Sequence, residues 1–193
     1  MSAPVVLGST SRYRAELLRR LLADFTQAAP GVDEAALAGE APSERALRLA
    51  IAKADAVALA HPHALVIGSD QVAALDGEVL DKPGTPERAR QQLRASSGRS
   101  VHFHTALCLL DGRTATRHTF VDHTRAVFRA LADDEIARYV EREQPLDCAG
   151  SFKCEALGIS LFECIETTDP SALIGLPLIA LARLLRAAGH AIP

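Results

Sequence analysis

The stretch Ala64-Leu65-Val66-Ile67-Gly68 carries no polar side chain, and Ser69-Asp70-Gln71 follows it at once. A short, unbroken apolar run of this kind reads as a strand buried on both faces, which a sheet covered by helices provides. An α/β fold is therefore expected. A polar cluster at the end of such a strand, beside a helix, marks the place where these folds hold ligands.

The flanking segments supply the helices and further strands. Val5 to Leu7 reads as a strand that breaks at Gly8 into Ser9-Thr10-Ser11. A helix with Leu17, Leu18, Leu21 and Leu22 on one side follows, and Ser11 is its expected N-cap. Pro30-Gly31-Val32-Asp33-Glu34 forms a turn that presents two carboxylates. A second helix is expected after Pro42-Ser43, burying Leu47, Ala50, Ile51, Ala54 and Ala58, with Lys53 on the flank of that stripe.

Beyond Gln71, Asp76-Gly77 predicts a hairpin and Asp81-Lys82-Pro83-Gly84 a loop. Thr85-Pro86-Glu87 opens a helix that Ser97-Gly98 ends. Alternation from Val101 to Leu109, the turn at Asp111-Gly112 and a returning strand near Thr119 to Phe128 predict a central hairpin. Helices are expected over 133–143 and 178–188. Neither repeat nor linker interrupts the 193 residues, so they read as one domain with a mixed sheet.

A net charge of −3 gives no general attraction to a long nucleic acid. Any phosphate ligand must be small and held by a local basic cluster. Cys108, Cys148, Cys154 and Cys164 form no C-x-x-C pair, and with no signal peptide expected they read as free thiols in a reducing, cytoplasmic compartment. The apolar runs fall short of the ~20 residues that cross a bilayer, so no membrane partner is expected.

Two segments offer chemistry. Ser9-Thr10-Ser11-Arg12-Tyr13-Arg14 bridges a strand and a helix, where free backbone N–H groups, hydroxyls and Arg14 suit a phosphate. Taken alone, the same residues more readily describe a capped helix with solvated arginines, because capping is so common. Asp70 could ligate a divalent cation or deprotonate water, and Lys82 could neutralise a phosphate. Alternatively, both are ordinary turn and loop residues. His102 and His104 share one strand face but lack a third ligand, as does His61-Pro62-His63, so a solvated sheet face outweighs a zinc site.

In order and spacing these segments resemble the Maf family of nucleotide pyrophosphatases along nearly the whole chain. The matching segments are Leu7-Gly8-Ser9-Thr10-Ser11 with Arg14, then Val32-Asp33-Glu34, Lys53, Gly68-Ser69-Asp70, Lys82-Pro83 and Ser97-Gly98-Arg99. They continue in Cys148 to Lys153, Gly158-Ile159 and Gly175-Leu176-Pro177-Leu178. Gln71 after the aspartate is similar to the branch that hydrolyses 7-methyl-GTP. The chain departs from the family at Arg12, where a proline is usual, at Ala15, where a second arginine is usual, and at Asp81, in place of a glycine.

The resemblance implies an elongated mixed sheet flanked by helices, in two lobes with a substrate cleft between them, as in inosine triphosphatases. It implies a hydrolase that splits a nucleoside triphosphate between its α and β phosphates, 7-methyl-GTP above all, with Asp70 as general base. Ser9, Arg14, Glu34, Lys53 and Lys82 are implied to surround the triphosphate, and Tyr13, Gln71 and Glu155 to select the base. Asp70 and Glu34 are the candidate ligands of a divalent cation, Mg2+ first, with Mn2+ or Co2+ as substitutes. A homodimer is also implied. The alternatives are a dTTP/UTP pyrophosphatase and a non-catalytic nucleotide-binding regulator of cell division.

Overall fold

Val5–Leu7 (β1) is buried at all three residues and lies parallel to both Thr26–Gln27 (β2) and Leu65–Leu75 (β3). The computed structural model describes residues 3–192. The remaining strands are Glu78–Val79 (β4), Ser100–Asp111 (β5), Thr116–Phe128 (β6) and Phe162–Glu166 (β7). Their hydrogen-bonded order is β2-β1-β3-β5-β6-β7, with β4 paired to β3. The β3/β4 and β6/β7 pairs are antiparallel. The sheet is thus mixed, as the alternation of buried strands, helices and a hairpin predicts.

Two turns repay attention because their residues dictate them. Asp76 and Gly77 both have positive φ, 52° and 87°, as a two-residue hairpin requires, and they join Leu75 to Glu78. Only residues 112–115 link β5 to its neighbour β6. That link is too short for a crossover, so the strands form the expected hairpin.

The helices are Arg12–Leu18 (α1), Pro42–Ala58 (α2), Pro86–Ser96 (α3), Asp133–Glu143 (α4) and Leu178–Ala187 (α5). The chain divides into two compact units. One holds the chain up to Asp70, then Thr105–Asp122 and everything from Asp169 on; the other holds Gln71–His104 and His123–Thr168. In the first unit Leu7, Leu17, Leu18, Ile67, Leu107 and Leu181 belong to one buried cluster. In the second, Phe103, Phe128, Phe152 and Phe162 meet edge to face, with centroids 4.7–5.7 Å apart. That is the favoured geometry for packed aromatic rings.

Three expectations are corrected. The first helix stops at Leu18, one turn before its leucine stripe does. Arg20 and Leu21 bond back to the carbonyls three residues earlier, so the chain tightens out of the α form. In α2 the buried residues are Ala46, Leu49, Ala50, Lys53, Ala54 and Val57, while Leu47, Ile51 and Ala58 are only half-buried. The cause is close approach: a Cβ on Gly68 would lie 2.1 Å from the Ala50 carbonyl oxygen and 2.7 Å from the Ala54 nitrogen. Ala50 and Ala54, at four-residue spacing, admit this contact where leucine and isoleucine could not. Lys53 therefore lies on the buried face and not on its flank.

The third correction concerns Asp70. It does not end its strand, because β3 continues through Val72, Ala73, Ala74 and Leu75, all buried. The short edge strands β2 and β7 were not anticipated.

Candidate active site

The apposition of α2 on β3 at Gly68 decides where Lys53 and Asp70 meet. Lys53 is 5% exposed and Asp70 8%. The Lys53 Nζ donates to Asp70 Oδ1 at 2.6 Å, and it also stands 2.7 Å from Glu34 Oε1. Glu34 reaches it from the loop between β2 and α2, with its side chain 55% exposed. Two carboxylates from separate segments, one buried and one exposed, thus converge on one buried ammonium.

The loop after β1 approaches the same carboxylates. Gly8 N–H bonds the Ile67 carbonyl at 2.8 Å, which fixes the loop to β3. Ser11 caps α1 as predicted, its Oγ accepting from Arg14 N–H at 3.4 Å. Ser9 is buried, and its Oγ accepts from Ser11 N–H at 3.2 Å and from Arg14 Nη1 at 3.4 Å. Arg14 Nε donates to the Gly175 carbonyl at 2.9 Å, and Ser69 Oγ donates to that same oxygen at 3.1 Å. Loss of water around the Arg14 guanidinium lowers its pKa, while the charges of Asp70 and Glu34 pull it back up. Ser9, Arg14, Glu34, Lys53 and Asp70 are therefore assembled in the first unit as one electrostatic group.

Gly175 and its support were missed at the sequence level as parts of this group. Gly175 has φ +129°, a conformation that side-chain-bearing residues rarely adopt. The turn that presents its carbonyl is braced by buried Asp169, whose carboxylate accepts from Ser171 N–H, Ser171 Oγ and Ile179 N–H at 2.6–3.0 Å. The Gly175-Leu176-Pro177 segment gave a signal, as a motif whose part in the site was not assigned.

Tyr13 lies on α1 next to Arg14. Arg12 Nη2 donates to its hydroxyl at 2.8 Å, and the Arg12 guanidinium sits 4.7 Å from the ring centroid. The residue that departs from the usual proline thus packs on the ring. Gln71, Lys82 and Glu155 belong to the second unit. Gln71 follows Asp70 in β3 and is half-buried, Lys82 is exposed in the loop before α3, and Glu155 is exposed. Glu155 lies on a stiff turn: Lys153 N–H bonds the Tyr139 hydroxyl at 3.1 Å, and a Cβ on Gly158 would lie 2.5 Å from the Lys153 carbonyl oxygen.

The histidines take no part in this group. His102 Nδ1 and His123 Nε2 are 3.0 Å apart, and His123 stacks on both His102 and His104 at the exposed to half-exposed face of their strands. All four cysteines are free thiols. Burial pushes the Cys108 thiol up to about 11. Among the described residues no cluster of three or more His, Cys, Asp or Glu is placed to hold a metal. Asp70 and Glu34 nevertheless suit a small hard cation, because Mg2+ needs only one or two carboxylates when water and substrate phosphates complete its shell. Their convergence on Lys53 Nζ shows that both can reach one positive centre.

Fold and site together define an α/β protein in which a buried lysine of α2 stands between a carboxylate of the mixed sheet and one of the preceding loop, beside a hydroxyl- and arginine-bearing loop at a helix start. The chain belongs to the Maf family: the family pattern described as Maf-like protein matches residues 4–188. It is similar over nearly its full length to proteins named 7-methyl-GTP pyrophosphatase. The one from Xanthomonas axonopodis pv. citri is 58% identical over 189 residues, covering 98% of each chain. That from Aromatoleum aromaticum is 54% identical, covering 98% of this chain and 97% of its own. That from Cupriavidus pinatubonensis is 52% identical, over 96% and 94%.

Proposed function

We propose that this protein hydrolyses 7-methyl-GTP to 7-methyl-GMP and diphosphate in a divalent-metal-dependent reaction. The observation that carries the reading is the convergence of Asp70 and Glu34 on Lys53 beside Arg14 and Ser9. The choice of nucleotide is supported by full-length relatives of that name at 52–58% identity.

In this reading Asp70 accepts a proton from water as the water oxygen attacks the α phosphorus. The α–β anhydride bond breaks and diphosphate leaves. Ser9, Arg14, Lys53 and Lys82 hold the phosphates, so the charge that builds on them meets fixed donors and not reorganising water. Asp70 and Glu34 would hold Mg2+, which would supply neutralisation of phosphate oxygens and polarisation at phosphorus. Tyr13, Gln71 and Glu155 select the base: an aromatic face suits a cationic 7-methylguanine, and a carboxylate can accept from the guanine N1–H and exocyclic amine.

A nucleotide panel tests it. Purified protein with Mg2+ should release diphosphate and the monophosphate from 7-methyl-GTP with a higher kcat/KM than from GTP, dTTP or UTP. Orthophosphate as the first product, or a preference for dTTP or UTP, would overturn the assignment.

A further inference from the structure

The carboxylate of Glu34 is placed on Lys53 by a loop that has no regular secondary structure from Ala28 to Ala41. Two arginines of α2 hold that loop from below. Arg45 Nη2 donates to the Glu34 carbonyl at 3.1 Å, and Arg48 Nη2 to the Ala35 carbonyl at 3.0 Å. Arg48 also grips Glu40 with both edges of its fork, Nε to Oε1 at 2.5 Å and Nη2 to Oε2 at 2.8 Å. Glu40 in turn accepts from Leu37 N–H at 3.3 Å, and its side chain is only 9% exposed although it lies in the loop. Planar bidentate pairing fixes direction as well as distance. Arg48 and Lys53 share one helix, so the strap and the residue it serves are rigidly related.

We propose that Arg48, through Glu40 and the Ala35 carbonyl, is the positioning residue that keeps Glu34 on Lys53. Its part in catalysis rests on the pyrophosphatase reading above; its structural part does not. The Arg48 fork is engaged with the loop, so it acts by placing Glu34 and not by touching the nucleotide.

Two measurements separate these parts. In nucleotide-free protein, Arg48→Ala and the milder Glu40→Gln should speed hydrogen exchange in peptides covering residues 33–40, leaving β3 and α5 peptides unchanged. Unchanged exchange over 33–40 in both variants overturns the strap, and this arm stands even if the protein proves inactive on nucleotides. With 7-methyl-GTP and Mg2+, Arg48→Ala should lower kcat about tenfold with KM shifted by less than about twofold, an ordinary coupling for groups in one network. In a Glu34→Gln background the same change should cost less than about twofold, because residues acting in series do not add. An equal loss in both backgrounds would show that Arg48 acts independently of Glu34 and would overturn the proposal.

Discussion

Lys53 on α2 and Asp70 on β3 form an ion pair of 2.6 Å in which both side chains are nearly sealed from water, at 6% and 11% exposure. Such a pair is a poor device for stability, since removing two charges from water costs about as much as their attraction returns. Its presence in the buried face of an otherwise alanine- and leucine-lined helix points to function. Glu34, on the solvent side, gives the ammonium a second partner.

Breaking the pair one side at a time should therefore cost more than removing it whole. Lys53→Met keeps the apolar stem but strands Asp70 as a buried charge, which is expected to destabilise the fold by about 3–5 kcal/mol. Lys53→Met with Asp70→Asn should recover much of that loss in urea unfolding. Strictly additive losses would mean that the two residues are not coupled.

Gly68→Ala should be among the most damaging small substitutions in the chain. The added methyl would meet the α2 backbone at Ala50, which cannot yield as a side chain can. Overpacking of this kind typically costs about 1–3 kcal/mol, and pushing α2 off β3 would also pull Lys53 from Asp70. The expected result is a lower Tm together with lost activity. A variant with wild-type Tm would show that the helix does not rest on this glycine.

Glu155→Ala should lower kcat/KM for 7-methyl-GTP far more than for dTTP, since a site built to hydrogen-bond its substrate discriminates through those bonds. Arg12→Pro should act on the same ratio through Tyr13, by freeing the ring face that the Arg12 guanidinium covers. Equal losses on both nucleotides in both variants would remove these residues from base selection.

The histidine group sets a pH limit on the fold. Burial first, then the charges of His123 and Arg125, hold the His102 imidazole below the ordinary histidine range. Burial, then His123 and His102, do the same for His104. The folded protein thus binds protons less readily than the unfolded chain, whose histidines titrate near about 6.5. Stability contributed here is present above that value and is lost as pH falls through it. Tm should be flat above neutrality and decline as pH falls through about 6.5, and His104→Gln should make the decline shallower. A wild-type Tm that rises on acidification through that value would contradict the assignment.

The parts that could be read from sequence were those governed by local chemistry. Asp133, Asp134 and Glu135 in the first turn and the buried Ile136, Tyr139 and Val140 mark α4 over about the expected range. Thr85-Pro86 does the same for the start of α3. The face of α2 was misjudged because periodicity weighs residue size, whereas Gly68 demands the smallest residues at the contact. Asp70 was placed at a strand end because a polar pair inside an apolar run looks the same as its terminus. Strand β2 has two exposed residues and β7 alternates only weakly, so neither has a pattern of its own. For the site, Lys53, Asp70 and Glu34 were legible through the family resemblance. Arg48 and Glu40 were not, because a charge pair eight residues apart across a loop has no signature until the loop is folded.

In the proposed reaction Asp70 is the proton acceptor for cleavage between the α and β phosphates. Asp70→Asn preserves shape and hydrogen bonding to Lys53 but removes the basic oxygen, and loss of a positioned base lowers rate by about 10²–10⁴. The decisive measurement is the time course of diphosphate and 7-methyl-GMP from 7-methyl-GTP with saturating Mg2+, for wild type and Asp70→Asn in parallel. Equimolar release of both products by the wild type, with the variant folded, nucleotide-binding and at least about a hundredfold slower, is the predicted result. Comparable turnover by the variant, or orthophosphate as the primary product of the wild type, would contradict it.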